Sequence, residues 1–451
     1  MRTETKVLLL LLATGCVAPD TSPEASPEPE ERLPNVVVLF SDDAGYGDFG
    51  FQAFTEPDVE GLTPSLDRLA SEGLVLADFH TSASVCSPSR AGLLTGRHQQ
   101  EFGHEMNLPI GSKASGIAAA GRSLADRMRA AGLATGYVGK WHLGYREEDH
   151  PNRVGWDWFH GCLQGSRSYY AYDEPTDLRV IQENGVPTPE EGYLTDRLGD
   201  AAVRFMEDHR DEPFFLFVSF TAPHGPLEPR PGDLERPEIA RLEPAKRRKH
   251  AALVAALDDN VGKVVLALER LGLEDDTLVV FTNDNGGQTQ NGARNGRLRG
   301  RKGMLTEGGI RVPAALRWPG RVEAGGVSDV PSTTLDLART LLSAVGSAEV
   351  NDPALDGRDL LDHWTRGAAV PDAPLFWRQR GARGQRAVRL GPWKLLHEDP
   401  DGAPQLFDLR SDLGEEQDLA AEHPDRVAEL TQLLDAWETG LVQPLFGSVA
   451  K

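Results

Sequence analysis

Cys86 opens the segment Cys86-Ser87-Pro88-Ser89-Arg90-Ala91-Gly92-Leu93-Leu94-Thr95-Gly96-Arg97, which reads as a loop running into a helix. Backbone amides at a helix start, together with the Arg90 guanidinium, favour an anion there. A cysteine nucleophile of lowered pKa is one reading of such a place. Two further polar groups carry chemistry, Asp42-Asp43 and Asp284-Asn285. Taken singly, each acidic pair suits a turn or a helix cap. Taken together, three carboxylates and one amide oxygen make a hard-oxygen shell suited to Ca2+ or Mg2+ rather than zinc. Clustered negative charge of that kind is costly without a cation.

The elements that must position these groups are legible as apolar runs. Val36–Phe40, Phe214–Val218 and Leu278–Phe281 are continuous, as in strands buried on both faces. Helical patterns at Ser65–Glu72, Leu124–Ala131, Leu194–Asp208 and His250–Leu271 lie between them. Alternation of this kind predicts an α/β fold with a large, mostly parallel sheet sandwiched by helices. Ligands of such sheets bind beyond the carboxyl ends of the strands. The first and third runs end there in Ser41-Asp42-Asp43-Ala44-Gly45 and Thr282-Asn283-Asp284-Asn285-Gly286-Gly287. After about residue 368 the pattern changes. Arg386–Leu390 and Trp393–Leu396 flank a Gly391-Pro392 turn as a hairpin, Gln405–Leu409 adds a strand, and Pro424–Trp437 is an amphipathic helix. The expected organisation is a catalytic domain over 35–368 and a smaller C-terminal α+β domain over 369–451. Gly45-Tyr46-Gly47 and Gly308-Gly309 lack the spacing of a nucleotide fingerprint and read as turns.

The Cys86–Arg97 segment resembles the signature of the sulfatase family, Cys-x-Pro-Ser-Arg followed four residues later by Thr-Gly-Arg. That resemblance implies that a maturation enzyme oxidises Cys86 to formylglycine, whose aldehyde hydrates to a geminal diol. It implies that Asp42, Asp43, Asp284 and Asn285 hold a cation, calcium before magnesium. Lys140-Trp141-His142-Leu143-Gly144, Ala222-Pro223-His224 and Lys302 resemble further family motifs, in family order. Gly391–Leu395 and Leu406–Leu409 resemble its C-terminal part. The roles implied are these. Arg90 and the cation orient residue 86, and Asp284 takes a diol proton. Lys140 and Lys302 neutralise sulfate oxygens. His224 or Lys302 protonates the leaving oxygen, and His142 takes the last hydroxyl proton as sulfate departs. The expected activity is hydrolysis of a sulfate ester, on a sulfated carbohydrate first and an aryl sulfate second. Two alternatives stand beside it: a phosphonate or phosphodiester hydrolase of the same superfamily, and a surface lipoprotein that binds sulfated glycans without cleaving them.

Composition bounds these readings. The 451 residues carry a formal charge of -22, which disfavours nucleic acid and anionic membranes as partners. Arg2 and Lys6, the apolar run Val7–Leu12 and Ala13-Thr14-Gly15-Cys16 describe a secretory signal over residues 1–16 ending in a lipobox-like sequence. Cys16 is then the expected lipid anchor, and residues 17–34, rich in Pro and Glu, an extended linker. The expected location is exported and membrane-tethered. With Cys16 and Cys86 so assigned, Cys162 is left without a disulfide partner and reads as a small buried residue. Specificity is expected in the loops 101–116, 149–191 and 227–243, where Tyr169, Tyr170 and Tyr172 suit either a sugar platform or packing.

Overall fold

The computed structural model describes residues 5–8, 32–172, 174, 177–381, 384–399 and 401–447. Cys16 and most of the linker lie outside the described residues. Residues 33–451 form one compact unit, and no helix among the described residues is long and apolar enough to cross a membrane.

The three apolar runs are the strands β1 (Asn35–Ser41), β3 (Phe214–Ser219) and β4 (Thr277–Asn283), and β2 (Ala134–Lys140) completes the centre. All four run parallel, in the order β4-β1-β3-β2. The parallel strand Trp158–Cys162 extends the sheet beyond β2, and Ala314–Arg317 pairs antiparallel with β4. Shorter strands at both edges bring the sheet to ten.

Alternation along the strands explains the two layers. Val37, Leu39, Leu216, Val218, Val279 and Phe281 face one side, against helices α2 (Leu194–Asp208) and α3 (Ala245–Leu271). Val36, Val38, Phe40, Phe215, Phe217, Leu278 and Val280 face the other, with helix α1 (Cys86–Thr95). Successive side chains of a strand point to opposite faces, so runs apolar at every position are what two covered faces require.

The sequence Ala-Thr-Gly-Tyr-Val-Gly-Lys of β2 carries no continuous apolar run, and sequence patterning missed it. Its glycines are there for close approach: a Cβ at Gly139 would meet the Ser219 carbonyl oxygen at 1.9 Å, and one at Gly136 the Phe205 ring at 2.6 Å. Helix α3 starts five residues before the expected His250, at Ala245, and its polar first turn is why the apolar period did not mark that start.

The C-terminal part is a four-stranded antiparallel sheet in sequential order: β5 (Leu375–Arg378), β6 (Arg386–Leu390), β7 (Trp393–His397) and β8 (Gln405–Asp408). One face packs Trp377, Ala387, Leu396 and Phe407 against Leu305 and Ile310. The other packs Val388, Leu395 and Leu406 against Leu430 and Leu434 of helix α4 (Pro424–Glu438). Cys162 is buried, as its reading as a small buried residue expects.

Candidate active site

Strand register builds the site. Ser41 of β1 is paired with Asn283 of β4, so both strands end level. Asp42-Asp43 and Asp284-Asn285 therefore emerge side by side, tied by the Asp284 N–H to the Ser41 carbonyl (3.2 Å) and the Asp43 N–H to Asp284 Oδ1 (3.2 Å). Asp43 holds a left-handed backbone, φ 68°. A non-glycine residue rarely adopts it, and here it turns the chain sharply at the strand end.

Cys86 begins helix α1 and is 1% exposed. Its thiol lies 3.6 Å from Asp42 Oδ1 and 4.0 Å from Asp43 Oδ1, and receives an N–H from Lys302 Nζ at 3.0 Å. Were residue 86 oxidised as the sequence resemblance implies, an oxygen would take the place of this Sγ. Ser87 fixes the helix start. Its N–H donates to Asn107 Oδ1 (2.9 Å), and its hydroxyl to the His142 carbonyl (2.6 Å), beside His104 Nε2. One turn on, Arg90 donates from Nε and Nη2 to Asp284 Oδ2 (3.1 and 2.9 Å), and from Nη1 to Ser219 Oγ and the Lys140 carbonyl. The rest of the signature is scaffold. Thr95 donates back to the Ala91 carbonyl, Gly96 ends the helix at φ 68°, and Arg97 pairs with Glu101.

Lys140, the last residue of β2 and 0% exposed, places Nζ 2.5 Å from Asp42 Oδ2. Lys302 places its Nζ 2.5 Å from Asp43 Oδ1. His224 follows β3 on a loop tied to β1 through the Asp42 N–H and the Ala222 carbonyl. Its Nδ1 donates to the Gly225 carbonyl (2.6 Å), which turns Nε2 toward Asp43 Oδ2 at 3.5 Å. His142, also left-handed at φ 60°, is buried against Gly165, where a Cβ would meet its ring at 2.3 Å. Among the described residues the His142 Nδ1 has no hydrogen-bond partner. The structure thus gathers Asp42, Asp43, Cys86, Arg90, Lys140, His142, His224, Asp284, Asn285 and Lys302 at one sheet edge.

The electrostatics divide the carboxylates. Burial alone would raise Asp42, but Lys140, His224 and Arg90 outweigh it and hold the group far below the usual carboxylate range. Asp284, beside Asp42, is pushed up to about 6 by burial and that neighbouring charge. Burial, followed by the approach of Lys140 and Arg90, keeps His142 neutral. Burial pushes the Cys86 thiol up to about 12, with Asp284 adding to it. Burial and the facing carboxylates thus work against the reading of residue 86 as a low-pKa thiolate. The helix-start amides and cations do not offset desolvation and the facing carboxylates.

The donors fit a hard cation. Among the described residues the buried Asn285 Oδ1 has no hydrogen-bond partner, although its Nδ2 donates to Asp43 Oδ1 at 2.9 Å. An orphaned amide oxygen beside three buried carboxylates is what an oxygen-ligated ion would satisfy. Among the described residues, Asp42, Asp43, Cys86 and His224 each offer a donor atom within 4.8 Å of the others. Asp284 stands beside it with both oxygens engaged, by Arg90 and by the Asp43 N–H. Asp42, Asp43 and Asp284 are balanced by Arg90, Lys140 and Lys302, so a divalent ion would leave the pocket positive for an anion.

Sequence reasoning did not find Ser219, His104 or Asn107, which support Arg90 and Ser87. They are lone polar residues in loops or at strand ends and carry no motif.

The fold and this constellation define a hydrolase of the α/β class. The sulfatase family model matches residues 34–347, and the chain belongs to the sulfatase family of sulfuric ester hydrolases. It is 33% identical to N-acetylgalactosamine-6-sulfatase of Mus musculus over 413 residues, covering 86% of this chain and 75% of that one. It is 29% identical to arylsulfatase J of Mus musculus, covering 86% and 69%. The crystal structure of Ps i-CgsB in complex with k-i-k-neocarrahexaose superposes with a TM-score of 0.84 at 30% identity, covering 92% of this chain and 94% of that one.

Proposed function

We propose that this enzyme hydrolyses a sulfate ester of a sulfated carbohydrate, using formylglycine formed from Cys86 and a calcium ion held by Asp42, Asp43, Asp284 and Asn285. The observation that carries the reading is the convergence of Lys302, Asp42 and Asp43 on the side chain of residue 86. As a hydrated aldehyde, residue 86 supplies one hydroxyl to attack sulfur and a second whose deprotonation releases sulfate. The cation supplies positive charge against the sulfate oxygens.

The chain's own groups do the rest. Arg90, pinned by Asp284 and Ser219, holds the start of helix α1 at the metal-binding edge. Asp284 is the carboxylate assigned to take the attacking hydroxyl's proton. Lys140 and Lys302 neutralise sulfate oxygens as charge redistributes. His224, 21% exposed, faces the leaving side, where it or Lys302 supplies a proton to the departing oxygen. Neutral His142 takes the last hydroxyl proton. The carbohydrate assignment is supported by the likeness to an N-acetylgalactosamine-6-sulfatase and to a structure bound to neocarrahexaose. Export and tethering through Cys16 complete the proposal, motivated by residues 1–34. Recovery of the native protein in the cytoplasmic fraction would refute that part.

The test of substrate class is a panel of defined sulfated sugars with an aryl sulfate and a phosphate diester as controls. Sulfate should be released from at least one sugar faster than phosphate from the diester. Preferential cleavage of the diester would overturn the reading.

A further inference from the structure

We propose that Gln379 is a positioning residue for this reaction, through which the C-terminal sheet holds Lys302 against residue 86. Gln379 follows β5 directly and is 7% exposed. Its Oε1 accepts from Ser84 Oγ at 2.9 Å. Its Nε2 donates to the Gly303 carbonyl at 2.9 Å and to Gln385 Oε1 at 3.0 Å. Ser84 precedes Cys86 by two residues, and Gly303 follows Lys302 directly. The two segments also meet through the Gly303 N–H and the Ser84 carbonyl, at 2.8 Å. A single amide therefore clamps the Ser84 side chain, two residues before the nucleophile, to the backbone carbonyl that follows its lysine.

The clamp is itself anchored. The Gln379 N–H donates to the Gln385 carbonyl at 3.1 Å. The buried carboxylate of Glu105 accepts from Arg378 Nη2 at 2.5 Å and from the Gly381 N–H at 2.7 Å, on either side of left-handed Arg380. Gln385 Oε1 also accepts the Leu305 N–H at 3.0 Å, bracing the lysine-bearing turn a second time. A side-chain amide accepts at one atom and donates at the other, as a hydroxyl on one side and a carbonyl on the other demand. A carboxylate of the same size would set charge against the Gly303 carbonyl. Lys302 works only if its ammonium stays in contact with residue 86, and misplacement by about 1 Å costs on the order of 100-fold in rate.

The inference rests on the role given to Lys302 above, and a double-mutant cycle separates the two. Full-length matured Gln379→Ala, Lys302→Ala and the double variant would be assayed on one sulfate ester. Rates would be normalised to residue 86 aldehyde content, with thermal midpoints measured in parallel. Gln379→Ala should lower kcat about 10- to 100-fold while KM changes by less than about 3-fold. The double variant should be no slower than Lys302→Ala alone. Gln379→Glu, which keeps the packing and the Ser84 bond, should fail to restore kcat. If the two losses multiply, or if either Gln379 variant keeps wild-type kcat, Gln379 does not act through Lys302. If Lys302→Ala is itself fully active, the role of Lys302 falls first.

Discussion

Ser41 and Asn283 are direct partners across β1 and β4, with the Ser41 hydroxyl 2.8 Å from Asn283 Oδ1. That register sets Asp42, Asp43, Asp284 and Asn285 at one edge, where three charges and an unpartnered amide oxygen are buried together. A metal that binds only this folded edge must also stabilise the fold.

Chelation should therefore abolish turnover and lower the thermal midpoint, and calcium should restore both. At 100 times its dissociation constant the ion adds about 2.7 kcal/mol. Asn285→Ala should require more calcium for the same midpoint. Calorimetry across a calcium titration checks this, and a midpoint indifferent to calcium would count against the site.

His224 and Lys302 can be separated by leaving group. A sugar alkoxide needs a proton as it departs, whereas a nitrophenolate does not. If His224 is the donor, His224→Ala should slow sugar sulfates by about 100-fold or more and nitrophenyl sulfate far less. Equal losses on both substrates would transfer the role to Lys302.

Asp48 offers a stability test remote from turnover. It is fully buried and bonded by Arg247 Nη1 (2.6 Å) and His250 Nε2 (3.0 Å). Burial opposes its ionisation, but Arg247 and His250 outweigh that and lower it from 3.8 to about 2. The folded pKa lies below the unfolded one, so the stabilisation is present above about pH 4 and is lost as pH falls toward 2. Urea unfolding should show the gap between wild type and Asp48→Asn narrowing by about 2 kcal/mol from pH 5 to pH 2. A constant gap would contradict this.

How far the sequence reached follows from what each residue answers to. Strands β1, β3 and β4 were legible because two covered faces demand apolar residues throughout, and Leu194–Asp208 because an amphipathic helix writes its period into the chain. β2 was hidden because Gly136 and Gly139 answer to the neighbours they touch, Phe205 and Ser219, rather than to a strand pattern. The site residues were nominated through motif resemblance. The orphaned Asn285 oxygen, the strained backbones of Asp43 and His142 and the Gln379 clamp are tertiary facts, set by segments that only the fold brings together.

Lys394 belongs to the same tertiary class. It sits on β7 with Nζ 2.8 Å from both Glu307 Oε1 and Glu415 Oε1, all three side chains at 0% exposure. Lys394→Met would leave two carboxylates buried without their shared cation. We expect a loss of about 3–5 kcal/mol in denaturant unfolding. A loss below about 1 kcal/mol would mean that the interface relaxes around them.

The central claim is that an oxidised residue 86 is the sulfate-transferring group. Its most direct measurement is sulfate release from one sulfated sugar against the aldehyde fraction at residue 86, read by mass spectrometry across preparations of graded maturation with saturating calcium. Release should rise in proportion to that fraction and vanish in Cys86→Ala. Activity that persists in Cys86→Ala, or fully converted protein that releases no sulfate from any ester, would contradict the account.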